Sequence, residues 1–163
     1  MTLANPGQNL QQFRLQNAKG ALDLQLGANG FVLSGIISSN QAVPIFAGEL
    51  LKLDPAALGP IPQFIAAGPS DTNTFFLVSE VKQNSFSAGD PCQAAGVGTV
   101  MVLLANAAIN PGQDVEYVAA TTPGTTDNGA VQVKSANLKV GVNLDPATTG
   151  TLTRVMIGNN TAS

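Results

Sequence analysis

From Ala42 onward the chain is cut into short apolar segments by Gly and Pro. That punctuation constrains the fold more than any other feature. The run from Pro55 to Asp71 holds Pro55, Pro60, Pro62 and Pro69, which excludes a long helix and predicts a surface loop. Strands are predicted around Leu50–Leu53, over Phe75–Val81, over Gly98–Ala105, and over Asp114–Ala120. The third is apolar throughout and is expected to be buried on both faces. The fourth alternates, so Val115, Tyr117 and Ala119 face one way. GAVQVKSA follows the turn signal Asn128-Gly129, and LKVGVNL and TLTRVMI close the set. Short strands recurring at intervals of about ten residues, without a strong helix, predict an all-β fold, either a β-sandwich (a jelly roll is one such arrangement) or a small β-barrel.

The first forty residues read differently. MTLANPGQNLQQFRLQNAKG is polar, and Leu10 and Phe13 fit one face of a short helix or an extended arm equally well. ALDLQLGANGFVLSGII predicts a hairpin turning at Asn29-Gly30. The expected organisation is an arm and first hairpin over 1–40, then a β-rich domain over 41–163.

One turn pattern recurs, as a local device rather than a repeat of the chain. A small residue or Pro precedes Gly, then an acid or amide, then a strand: Ala47-Gly48-Glu49, Ala88-Gly89-Asp90 and Pro111-Gly112-Gln113. Gly supplies positive φ, and the polar side chain is placed to bond a nearby backbone group.

The chemistry available is narrow. The chain has no His and one Cys, Cys92, which removes the commonest general base and any ordinary zinc set. Cys92 reads as a small packed residue. Asp54, Asp71, Asp90, Asp114, Asp127 and Asp145 mostly sit beside Pro, Gly, Asn or Thr and read as turn residues. No enzyme activity, metal or cofactor is expected. Seven Lys and Arg are spread singly through a chain of net charge -3, so no stripe exists to neutralise phosphates and nucleic acid is not an expected partner. No apolar run approaches a membrane span of about 20 residues. Only 10% of residues are charged, against roughly 25% in ordinary domains. A surface of Ser, Thr, Asn, Gln, Ala and Gly is easily desolvated, which favours burial against other chains.

Phe75 and Phe76 point to opposite faces of their strand, one toward the core and the other toward an interface. Arg154 is a charge inside the apolar closing strand. It reads either as a solvent-facing position or as an ion pair to a neighbouring subunit.

Three blocks carry a resemblance: Ser87-Ala88-Gly89-Asp90; Ile109 to Val115; and Gly141-Val142-Asn143-Leu144-Asp145-Pro146-Ala147 followed by Gly150, Leu152, Arg154 and Val155. In this order and spacing they resemble the structural cement, or capsid decoration, proteins of tailed bacteriophages. The similarity covers Ala42 to Ile157 and is best from Phe75 on. It implies a small β-rich protein, made in the host cytoplasm, that sits on the outer surface of the virion capsid. It further implies that the major capsid protein is the partner and that the chain is a homo-oligomer, a trimer being favoured and a dimer the alternative. Another virion part, a head fibre base or tail-tube component, is the competing expectation. The contact residues expected are Leu10, Phe13 and Arg14 in the arm, Ile61, Phe64 and Ile65 in the Pro-rich segment, and Arg154.

Overall fold

Phe75, Phe76 and Leu77 show how strand alternation divides the interior. Phe76 lies in one apolar cluster with Leu50, Ala95, Val115 and Tyr117. Leu77 lies in another with Ile37, Leu51, Phe64, Phe86 and Cys92, and Phe75 packs against it. Both Phe side chains therefore serve the interior, because the strand carrying them has apolar clusters on both faces.

The structure is a computed structural model and describes residues 19–23, 30–79, 85–119 and 129–158. The strands are β1 (Val32–Ile37), β2 (Ile45–Phe46), β3 (Leu50–Leu53), β4 (Gln63–Ala66), β5 (Phe75–Leu77), β6 (Ser85–Phe86), β7 (Pro91–Ala95), β8 (Val100–Leu104), β9 (Asp114–Val118), β10 (Ala130–Val133), β11 (Lys139–Asn143) and β12 (Leu152–Ile157). The fold is all-β, and the described residues contain no helix. Strands β1-β4-β3-β5-β7 close into a barrel; β10-β9-β11-β12-β8 form a five-stranded sheet; β2 and β6 pair separately.

The sheet repeats the barrel. Replacing β1, β4, β3, β5 and β7 by β8, β10, β9, β11 and β12 reproduces the strand order, and the registers agree. Leu51 faces Ala66 and Leu53 faces Phe64; Val115 faces Val133 and Tyr117 faces Val131. Leu77 faces Ala94; Asn143 faces Val155. The parallel contact Ile37–Phe64 returns as the parallel bridge Ala105–Val131, which joins the ends of the sheet. Even the small β2–β6 pair, Ile45 with Phe86, has its counterpart in the bridge Ile109–Ala147. The turn bonds coincide too: Gly89 N–H to Ile37 O and Gly150 N–H to Ala105 O are both 2.8 Å, and Gly48 N–H to Leu77 O and Gly112 N–H to Asn143 O are both 2.7 Å. The chain is thus two units of one topology, 32–95 and 100–157. Two of the recurring Gly turns, at Gly48 and Gly112, are therefore equivalent points of that repeat, while the third, at Gly89, has its equivalent at Gly150. Gly48 and Gly112 hold φ of 81° and 82°, where L side chains are strained.

The interiors exchange volume between partners. A Cβ on Gly35 would meet the Phe64 ring at 2.6 Å. The equivalent positions in the second unit carry Leu103 and Val131, so bulk on one strand replaces bulk on the other.

Three expectations change. QFIA, inside the Pro-rich segment, is barrel strand β4 rather than loop, because its four residues are free of Pro and are bracketed by it. Of the hairpin expected over 21–37, residues 24–29 lie outside the described residues; Leu22 bridges Met101, while β1 has β7 and β4 as its neighbours. The division expected at residue 40 falls inside the first unit, with β1 before it and β3 and β4 after.

Candidate functional site

The described carboxylates mostly hold loops. Glu116, 1% exposed, accepts the backbone amides of Ser135 (2.9 Å), Ala136 (2.9 Å) and Asn137 (2.7 Å), together with Gln132 Nε2 (2.8 Å) and Ser135 Oγ (3.0 Å). Burial alone would raise its pKa, but the amides of Ser135, Asn137 and Ala136 and the Gln132 side chain outweigh burial and hold it at about 2. Lys52 is its equivalent in the first unit. It pairs with both Asp71 oxygens at 3.0 Å, and Asp71 accepts the Gly68 amide at 2.8 Å. Opposite charges thus do the same job in the two units, each tying down the loop after the next strand.

Arg154 forms a two-bonded fork with Asp145, Nε to Oδ2 and Nη2 to Oδ1, each 2.6 Å. A further contact of 3.3 Å runs from Nη1 to Asp23. The guanidinium holds the Asp145 carboxyl below its ordinary value. The Asp and Arg of the closing block are therefore partners within one chain. Among the described residues no group of three or more His, Cys, Asp and Glu is placed to hold a metal ion.

The feature that points outward is the β3–β4 loop, residues 54–62. Asp54 pins it at the base. Its carboxylate accepts Ser38 Oγ (2.5 Å), Asn40 Nδ2 (2.8 Å) and the Ala56 amide (2.9 Å). The Ser38 hydroxyl, the Ala56 amide and Asn40 hold that carboxyl below its ordinary value. Asp54 N–H reaches Gln63 O at 2.8 Å, and Pro62 O receives Ile36 N–H at 3.0 Å. Gly35 is what permits Pro62 to approach, since a Cβ there would collide with the Pro62 carbonyl. From this frame the loop exposes Leu58 (93%) and Ile61 (55%), beside Leu53 (48%) at the end of β3. Phe31 and Val97 are also exposed; the Phe31 ring lies tilted against Phe75 at 6.4 Å, and Phe75 meets Phe64 edge-on at 5.8 Å.

The expected contact residues fare differently. Ile61 is on the loop and exposed. Ile65 is half-buried opposite Lys52. Phe64 is fully buried in the barrel, so it is a core residue and not a surface one; its Pro-rich setting hid the strand it occupies. Arg154 is engaged within its own chain. Leu10, Phe13 and Arg14 lie outside the described residues. The sequence reading missed Leu58, although an apolar residue between Ala57 and Gly59 in a Pro-rich loop was the available signal.

No family model matches the sequence, and no curated protein matches it. Among solved structures, the chain is similar to the head fiber gp8.5 N base of bacteriophage phi29, with 13% identity, coverage of 82% of this chain and 98% of that one, and a TM-score of 0.49. At that level the fold rests on the strand pairing given above.

Proposed function

We propose that this chain is a structural component of a tailed-phage virion, a cement protein bound to the outside of the expanded head, where it braces neighbouring major capsid protein subunits. The resemblance of the blocks between Ser87 and Val155 supports this reading. The observation that carries it is the 54–62 loop, which exposes Leu58 and Ile61 on a backbone pinned by Asp54. A pinned loop loses little conformational freedom on docking, so its apolar area converts more fully into affinity.

The mechanism is mass action. A protein that binds the expanded lattice and not the unexpanded one stabilises the expanded lattice in proportion to its occupancy. A homo-oligomer, with a trimer favoured, engages several capsid subunits at once and multiplies modest contacts through effective concentration.

Sedimentation of the protein with purified heads tests the reading. Binding to expanded heads but not to unexpanded ones is expected, and Leu58→Asp with Ile61→Asp should weaken it at least about tenfold, some 1.4 kcal/mol. Equal binding to both head forms, or recovery of the protein in tails or fibres instead, would replace the cement role with another virion role.

A further inference from the structure

The two units differ at one strand edge. In the second unit the edge of β8 is occupied by residues 20–23. Val102 N–H donates to Ala21 O (2.9 Å), Gly20 N–H to Val102 O (2.7 Å) and Asp23 N–H to Val100 O (2.8 Å). Leu22 bridges Met101 in the antiparallel sense and packs its side chain against the large core. Val100 and Val102 are consequently only 5% and 4% exposed.

The equivalent residues of the first unit are Val32 and Ser34. Val32 faces Ala95 and Ser34 faces Gln93, as Val100 faces Met156 and Val102 faces Arg154. Along an antiparallel strand the backbone groups alternate in direction. Ile36 sends its N–H to Pro62 O, on the side away from β7; Ser34 and Val32, two and four residues earlier, turn the same way. β4 meets β1 only at Ile36 and Ile37. Among the described residues, then, no strand lies along Val32–Ser34. Val32 is 38% exposed and Phe31 beside it 55%, and Ser34 is also exposed. An unpaired strand edge flanked by exposed apolar side chains is a template for an added strand.

We propose that the Val32–Ser34 edge accepts an extended segment donated by a different protein chain, which pairs antiparallel to β1 as residues 20–23 pair with β8. The occupant of the second unit defines the chemistry of the donor: a small residue, then an apolar one seated beside Leu33 as Leu22 sits beside Met101, then a polar one. Among the described residues a second copy of this chain has no spare segment of that kind, because 20–23 is committed to β8. This inference does not depend on the partner being a capsid.

Amide hydrogen exchange on the full chain tests it, with a synthetic peptide of the sequence of residues 19–24 as the probe. In the free protein the Ser34 and Val32 amides are expected to exchange at least about 100-fold faster than that of Val102. Peptide at roughly millimolar concentration should slow exchange at Ser34, whose counterpart Val102 donates to Ala21 O, and the same peptide with Pro in place of Asp23, the residue whose N–H reaches Val100 O, should not. Ser34→Pro in the protein should abolish the effect with the melting transition retained. If that variant does not fold, the comparison of the two peptides decides. Protection of Ser34 in the free protein equal to that of Val102 would mean that the chain fills its own edge and would overturn the proposal; so would a peptide that leaves the Ser34 amide unchanged.

Discussion

Thr153 donates its hydroxyl to Asn143 Oδ1 at 2.7 Å, at the two positions where the first unit places Cys92 and Leu77 in its apolar cluster. One topology thus tolerates either an apolar pair or a bonded polar pair, provided that each is complete. Asn143 is 0% exposed, and its Nδ2 also donates to the carbonyls of Asp145 and Asn110. A buried polar group left without its partner is destabilising by about 1–3 kcal/mol. Thr153→Val should therefore lower stability by about 1 kcal/mol. Asn143→Leu should lower it by about 3 kcal/mol, since it removes the buried acceptor of the Thr153 hydroxyl and the amide donor to the Asp145 carbonyl together. Chemical denaturation of the two variants checks the order; equal losses would count against the network.

Glu116 makes stability depend on acid. Its folded pKa of about 2 lies below the ordinary value of 4.5, so the folded state binds its proton less readily than the unfolded chain. The stabilisation is complete above pH 4.5 and fades as pH falls toward about 2. Glu116→Gln places an amide N–H against donors and should lower stability at pH 7 by about 2–3 kcal/mol. Urea midpoints measured from pH 7 to pH 2 should fall less steeply for this variant than for the wild type. Parallel curves would show that Glu116 does not carry the dependence.

Ile61 and Phe64 are near neighbours in sequence with opposite expected responses. Ile61→Asp changes an exposed loop residue and should leave stability within about 0.5 kcal/mol while weakening binding to heads. Phe64→Ala empties the barrel centre and should lower stability by about 3–5 kcal/mol. Thermal melts of the isolated protein separate the two; a large loss for Ile61→Asp would mean that the loop is part of the core.

The fold class was legible because alternation and turn chemistry are local. Leu50–Leu53, Asp114–Val118 and the Gly48, Gly89 and Gly112 turns could be placed from a few neighbours each. The internal repeat was not legible. Equivalent positions share little beyond Val32 with Val100, Ile45 with Ile109, Gly48 with Gly112 and Gly89 with Gly150, since exchanges such as Gly35 and Phe64 for Leu103 and Val131 conserve volume, not residue type. Glu116 was hidden for a related reason. Alternation puts it opposite Val115 and Tyr117, but nothing local announces the three amides of residues 135–137 that surround it. Of the residues expected in the Pro-rich segment, Ile61 is exposed. That setting misplaced Phe64, because a four-residue strand between prolines looks like loop. Arg154 was expected to face solvent or to pair with a neighbouring subunit, whereas its partner, Asp145, stands in the same block of its own sequence.

Electron cryo-microscopy of expanded heads prepared with and without this protein tests the central proposal most directly. The account predicts added density on the outer surface at positions where capsid subunits meet, with the 54–62 loop turned toward the capsid. Heads that stay bare, or density confined to the tail, would contradict it.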